Sequence, residues 1–105
     1  MTVEADIGQK LDYLFGKATG NVHNEQRTRD MLRKMEKIGF PDTQWSRAFM
    51  KRHFNQVLLN QDNIAKTYPN GNVVRESLLV GQRGTVKIES IWKCNKLITF
   101  MLFGE

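Results

Sequence analysis

Three runs rich in β-forming residues crowd the last third of the chain, at residues 73–80 (VVRESLLV), 85–92 (TVKIESIW) and 97–103 (LITFMLF). Branched and aromatic side chains suit a pleated, half-buried surface. The links between the runs are only Gly81-Gln82-Arg83-Gly84 and Lys93-Cys94-Asn95-Lys96. A parallel crossover needs a dozen or more residues, so neighbouring runs must pair antiparallel. Residues 73–103 therefore read as a β meander.

The first half has a different period. Residues 6–15 place Ile7, Leu11 and Leu14 at helical spacing before Gly16, which predicts a short amphipathic helix. Residues 16–24 (GKATGNVHN) read as a loop, with Asn24 as cap of a second helix reaching about Ile38. Met31, Leu32, Met35 and Ile38 form that helix's apolar stripe; Arg27, Arg29, Arg33, Lys34 and Lys37 occupy its other face. Gly39 ends it, Phe40-Pro41 turns the chain, and Asp42 or Thr43 caps a third helix to about Asn60. Trp45, Phe49, Phe54, Val57 and Leu58 should supply the buried side of the third helix. Polar residues 61–72 end in the turn sequence Pro69-Asn70-Gly71-Asn72. Helices over 5–60 followed by a meander make an α+β domain spanning 1–105, with the helices on one face of an antiparallel sheet of three to four strands.

Side chains alternate across a strand, so each run divides into two rows. Ile98, Phe100 and Leu102 form the most apolar row and should lie under the helices, with Val86 and Ile88 beside them. Taking Val74, Leu78 and Val80 as the inward row of the first run sends Arg75 and Ser77 outward. The outer face then gathers Arg75, Ser77, Thr85, Lys87, Glu89 and Thr99, and Leu97 and Met101 look the same way. Glu76 points inward on this count and needs a partner there.

Lys and Arg number 16 against 11 Asp and Glu, a net charge of +5. Such a domain is biased towards nucleic acid or an acidic protein. No run approaches the ~18 apolar residues of a membrane span. The first residues lack the basic and apolar stretches of a signal peptide, so an exported chain would rely on another carrier. A lone Cys94 and two histidines give neither a disulfide nor zinc-ligand spacing, so no metal or other cofactor is expected.

Cleavage of RNA by its own 2′-hydroxyl needs a base, an acid and a cation for the phosphorane, and no metal. Histidine suits proton transfer; arginine and lysine suit the phosphate. His23, before the arginine-bearing helix, is the first choice of acid or base, near a helix N-terminus that favours anions. Arg75 and Lys87 would hold the phosphate, with Glu76, Ser77 and Thr99 beside them. Lys17, Arg27, Arg29, Thr85 and Glu89 are placed on flanking RNA. His53 shares the face of Phe49 and Val57 and ranks second, as does Trp92, which could stack on a base but sits on a core row. An ion pair of Arg75 or Lys87 with Glu89 is the structural alternative.

The runs GNVHNEQRT (20–28), Asp42-Thr43, VRESLL (74–79), KIESIW (87–92) and NKLIT (95–99) together resemble the C-terminal tRNA-nuclease toxin domains of contact-dependent growth inhibition effectors of the CdiA type. The likeness extends over about residues 16–104. It implies a barnase/EndoU/colicin/RelE-like fold with a fourth strand from residues 63–68, and metal-independent cleavage leaving a cyclic phosphate. It implies a cognate immunity protein as partner, tRNA as substrate, and in some members elongation factor Tu as helper. It further implies export within a larger effector and delivery to the target-cell cytoplasm. His23, Arg75, Glu76, Lys87 and Glu89 fall on the matching positions. A RelE-like ribosome-dependent mRNA nuclease, which more usually begins with a strand, and a non-enzymatic RNA- or protein-binding module are the alternatives.

Overall fold

The computed structural model describes residues 4–17 and 22–104. Helices α1 (Lys10–Leu14), α2 (Val22–Lys37) and α3 (Gln44–Leu59) precede strands β1 (Ile64–Thr67), β2 (Val73–Val80), β3 (Thr85–Lys93) and β4 (Lys96–Phe103). The strands form one antiparallel sheet in the order β1-β2-β3-β4. This is the expected α+β order, and β1 is the fourth strand that the resemblance implies. The first helix is shorter than its apolar spacing suggests. Asn24 lies inside α2 instead of capping it, and residues 18–21 of the expected loop fall outside the described residues.

Local chemistry fixes the helix ends. Thr43 caps α3, its side-chain oxygen accepting the Ser46 amide at 3.1 Å. Gly39, with φ of +104°, closes α2 while the Phe40 amide donates to the Met35 carbonyl at 2.8 Å. The β2–β3 turn docks on this end, the Arg83 amide donating to the Ile38 carbonyl at 3.1 Å. A side chain at Gly81 would collide with the same carbonyl oxygen, so only glycine permits the approach. Arg47 ties α3 to Asp12 of α1 at 2.8 Å and to Asp42, in the turn before its own helix, at 2.7 Å.

The core lies between the helices and one face of the sheet. Phe54 of α3 meets Trp92 of β3 and Phe100 of β4, with ring centroids 6.3 and 5.7 Å away. Val86, Ile88, Ser90 and Trp92 turn inward on β3 as the alternation predicts. Strand β2 is turned over relative to expectation: Leu79 is 1% exposed, whereas Leu78 and Val80 are 66% and 65% exposed. Arg75 and Ser77 share the inner face with Leu79, and Glu76 points outward. The run VVRESLLV carries apolar residues in both rows, so hydrophobicity does not choose between them. Buried partners for Arg75 and Ser77 do. In β4 the register slips at Ile98, between the pairs Ile91–Thr99 and Trp92–Leu97. This bulge buries Leu97, expected outside, and leaves Ile98 half-buried.

Leu79→Ala is expected to cost about 2–5 kcal/mol of unfolding free energy, and Leu78→Ala less than about 0.5 kcal/mol. Urea denaturation of the two variants decides the strand's orientation; the opposite order would show β2 facing the other way.

Candidate active site

Strand β1 pairs with β2 only from Val73 to Arg75. Among the described residues, β2 has no strand neighbour on that side from Glu76 to Val80, and α3 passes over the open edge. Arg75 sets where it passes. Its guanidinium is 6% exposed, and Nη1 donates to the Asn60 carbonyl at 2.6 Å, the Asn63 side-chain oxygen at 2.9 Å and the Val57 carbonyl at 3.4 Å. A cation is thereby held against the carbonyl end of α3, where the helix dipole is negative. Burial pushes the Arg75 pKa down. Held in this way, the side chain is a strut between helix and sheet, pointing away from the face that carries Lys87, where its phosphate contact was expected.

Two residues along the same row, Ser77 meets His53, four residues before Val57 on α3. His53 Nε2 lies 3.0 Å from Ser77 Oγ. Burial lowers the His53 pKa from its ordinary 6.5. The imidazole is therefore neutral at physiological pH, the form that can accept a proton. Around the pair opens a hollow of about 250 Å³ lined by His53, Gln56, Asn60, Asn63, Glu76 and Ser77 among others. A second, of about 520 Å³, shares Asn60, Asn63, Glu76 and Ser77 and extends to Lys87. Lys87 Nζ is 3.2 Å from Glu76 Oε1, both side chains 44% exposed. That exposure makes the pair weak and easily exchanged for another anion. Glu76 stands directly opposite Glu89, and Lys87 relieves the like-charge crowding.

The structure thus brings together Glu76, Ser77 and Lys87 of the predicted set, and adds His53, Gln56, Asn60 and Asn63. His23, the first choice from sequence, is exposed in the first turn of α2 and lines neither hollow. About 22 Å of helix separates it from Ile38, beside the β2–β3 turn. Arg75 and Lys87 lie on opposite faces of the sheet, so the predicted trio of His23, Arg75 and Lys87 does not converge. Lys17, Arg27 and Arg29 are exposed on the α1–α2 side. Thr85, Glu89 and Thr99 sit on the outer face as expected. Trp92 is 1% exposed and donates to Ser90 Oγ at 2.9 Å, a core residue closed to bases. Among the described residues, no three His, Cys, Asp or Glu side chains converge. No described helix is long and apolar enough to cross a membrane. The missed signal was the polar series His53, Gln56, Asn60 and Asn63, at three- and four-residue steps, which runs along α3 and past its end.

Helices on one face of an antiparallel meander, with a histidine–hydroxyl pair at its open edge, define a small basic α+β domain with a surface site. No family model matches the chain, and no curated protein does. Among solved structures it is similar to a chain of the contact-dependent growth inhibition toxin–immunity protein complex from Klebsiella pneumoniae 342. The TM-score is 0.78 and the identity 32%, over 93% of this chain and 99% of that one. The chain belongs to the contact-dependent growth inhibition toxins.

Linkage gives a test of the buried imidazole. Above pH 6.5 His53 is neutral in both folded and unfolded chains, and its contribution to stability is complete. As pH falls from 6.5 through the lower folded value, the unfolded chain takes up the proton first and stability is lost. Urea midpoints at about pH 7.5 and about pH 5 should therefore separate, and His53→Gln should shrink the separation. An unchanged separation in the variant would mean that His53 is solvated.

Proposed function

We propose that the protein is a metal-independent RNA endonuclease toxin, a single domain that cuts tRNA through the 2′-hydroxyl. The contact between His53 Nε2 and Ser77 Oγ, at an open strand edge within reach of Lys87, carries this reading. The net charge of +5 supports it, since phosphate attraction needs a cationic protein.

In the proposed step the 2′-hydroxyl displaces Ser77 Oγ at Nε2 and gives its proton to neutral His53. The 2′ oxygen bonds to phosphorus as the bond to the 5′ oxygen breaks. The departing oxygen takes a proton from the Lys87 ammonium, which has left Glu76 for the phosphorane. The products are a 2′,3′-cyclic phosphate and a 5′-hydroxyl, and nothing else is consumed. Asn60, whose backbone carbonyl accepts from Arg75, offers its side-chain amide nitrogen to the ribose. His23, Lys17, Arg27 and Arg29 contribute at most to flanking phosphates, and Thr85, Glu89 and Thr99 to the outer rim.

The toxin–immunity protein complex of the Klebsiella relative supports a cognate immunity protein here too. A positive charge favours an acidic one, because opposite potentials speed association. Delivery to the target-cell cytoplasm within a larger effector, and presentation of tRNA by elongation factor Tu, complete the proposal.

Incubation of the protein with total bacterial tRNA in EDTA, with and without elongation factor Tu and GTP, tests it. His53→Ala should slow cleavage by about 10²- to 10⁴-fold, Lys87→Ala by about 10²-fold or more, and His23→Ala by no more than a few-fold. Equal cleavage by His53→Ala would remove the assigned base. Loss of cleavage in EDTA would point to a metal nuclease, and no cleavage under any condition to a binding module.

A further inference from the structure

Trp45 was expected in the core, yet it is 59% exposed, which is costly for the largest apolar side chain unless something covers it. Its ring is the open end of a stack. Phe40, itself buried, lies 6.0 Å away at an interplanar angle of 11°, and Phe49 lies 5.5 Å away at 30°. Residues 45, 49 and 53 follow one another at four-residue steps along α3, so the stack leads down the helix to His53. A hollow of about 220 Å³ lined by Phe49, Arg52, His53 and Gln56 joins it to the site, sharing His53 and Gln56 with the hollow at Ser77. Its lining holds a cation and no carboxylate.

We propose that Trp45, backed by Phe40 and Phe49, is a platform on which an unpaired nucleobase of the RNA stacks, next to the nucleotide cut at His53. The proposal rests on the nuclease reading for its choice of ligand. Trp45, set at 11° to Phe40 and 30° to Phe49 behind it, keeps an exposed ring face that accepts another flat ring, and every base has one. Arg52 and the net positive charge favour a phosphate-bearing ligand over an acid-poor protein surface. From Trp45 to His53 is about 12 Å along the helix, which places the stacked base on a flanking nucleotide. Bases in a duplex are already stacked and paired, so the platform selects single-stranded segments and loops.

The test uses short RNAs fully 2′-O-methylated, which lack the attacking hydroxyl and so report binding without cleavage. Trp92 is buried, so Trp45 is the fluorophore that a bound base can quench. Single strands should quench it and bind more tightly than the matching duplex. Followed by the anisotropy of end-labelled RNA, since both variants lack the reporter ring, Trp45→Ala should weaken single-strand binding by about five- to a hundredfold, with Trp45→Phe restoring most of the loss. Thermal unfolding of both variants, compared with the parent, separates lost stacking from lost folding. Full-strength binding by a folded Trp45→Ala overturns the platform. So does quenching by a cognate immunity protein but not by RNA, which would make the shelf a protein contact. Binding with stacking but no cleavage of unmodified RNA would keep the platform and sink the nuclease reading; cleavage without quenching would do the reverse.

Discussion

A buried guanidinium decides how this molecule is put together. Arg75 projects from the sheet into the carbonyl end of α3, and the same helix face and strand row then carry His53 and Ser77. Val57 accepts from Arg75, and His53 lies one turn earlier; Ser77 lies one row position further along β2. Fixing the first contact fixes the second. A cation meeting only neutral oxygens in a dry place is an expensive arrangement. The helix dipole and the Asn63 amide oxygen offset part of that cost, and the return is a defined register of helix over strand.

Much of the architecture was legible in the sequence because two periods, 3.6 and 2, divide the chain cleanly. Links too short for crossovers settled the topology of the last three strands. The orientation of β2 was not legible, because VVRESLLV is apolar in both rows and its deciding contacts come from Asn60 and Asn63, distant in sequence. The swap of Leu97 and Ile98 follows from a bulge, which alternation cannot anticipate. Glu76, Ser77 and Lys87 are legible from their chemistry although the faces expected for Glu76 and Ser77 are reversed and only that of Lys87 holds, since residues from both faces meet at an open edge. His53 was undervalued for its place beside Phe49 and Val57, where a core role is usual. Its polar company on α3 was the better guide.

The placement of the site also explains the uneven distribution of charge and apolar surface. On the outer face Leu78, Val80, Met101 and Phe103 are exposed around Lys87, and on α3 Trp45 stands free. Exposed apolar groups next to a charged centre are characteristic of surfaces that are covered during function. A toxin domain of this family has reason to keep such surfaces.

The early end of β1 has one more consequence. Among the described residues, β2 from Glu76 onward has no strand partner on one side, with Leu78 and Val80 exposed beside it, the kind of border along which sheets of separate molecules fuse. Glu76 and Lys87 stand there as guards, their charges discouraging a foreign strand from settling. Lengthening β1 to seal the border would make a better-behaved protein and would roof over the histidine. Sealing that border and keeping the hollow at His53 and Ser77 open thus make opposite demands on the same few residues.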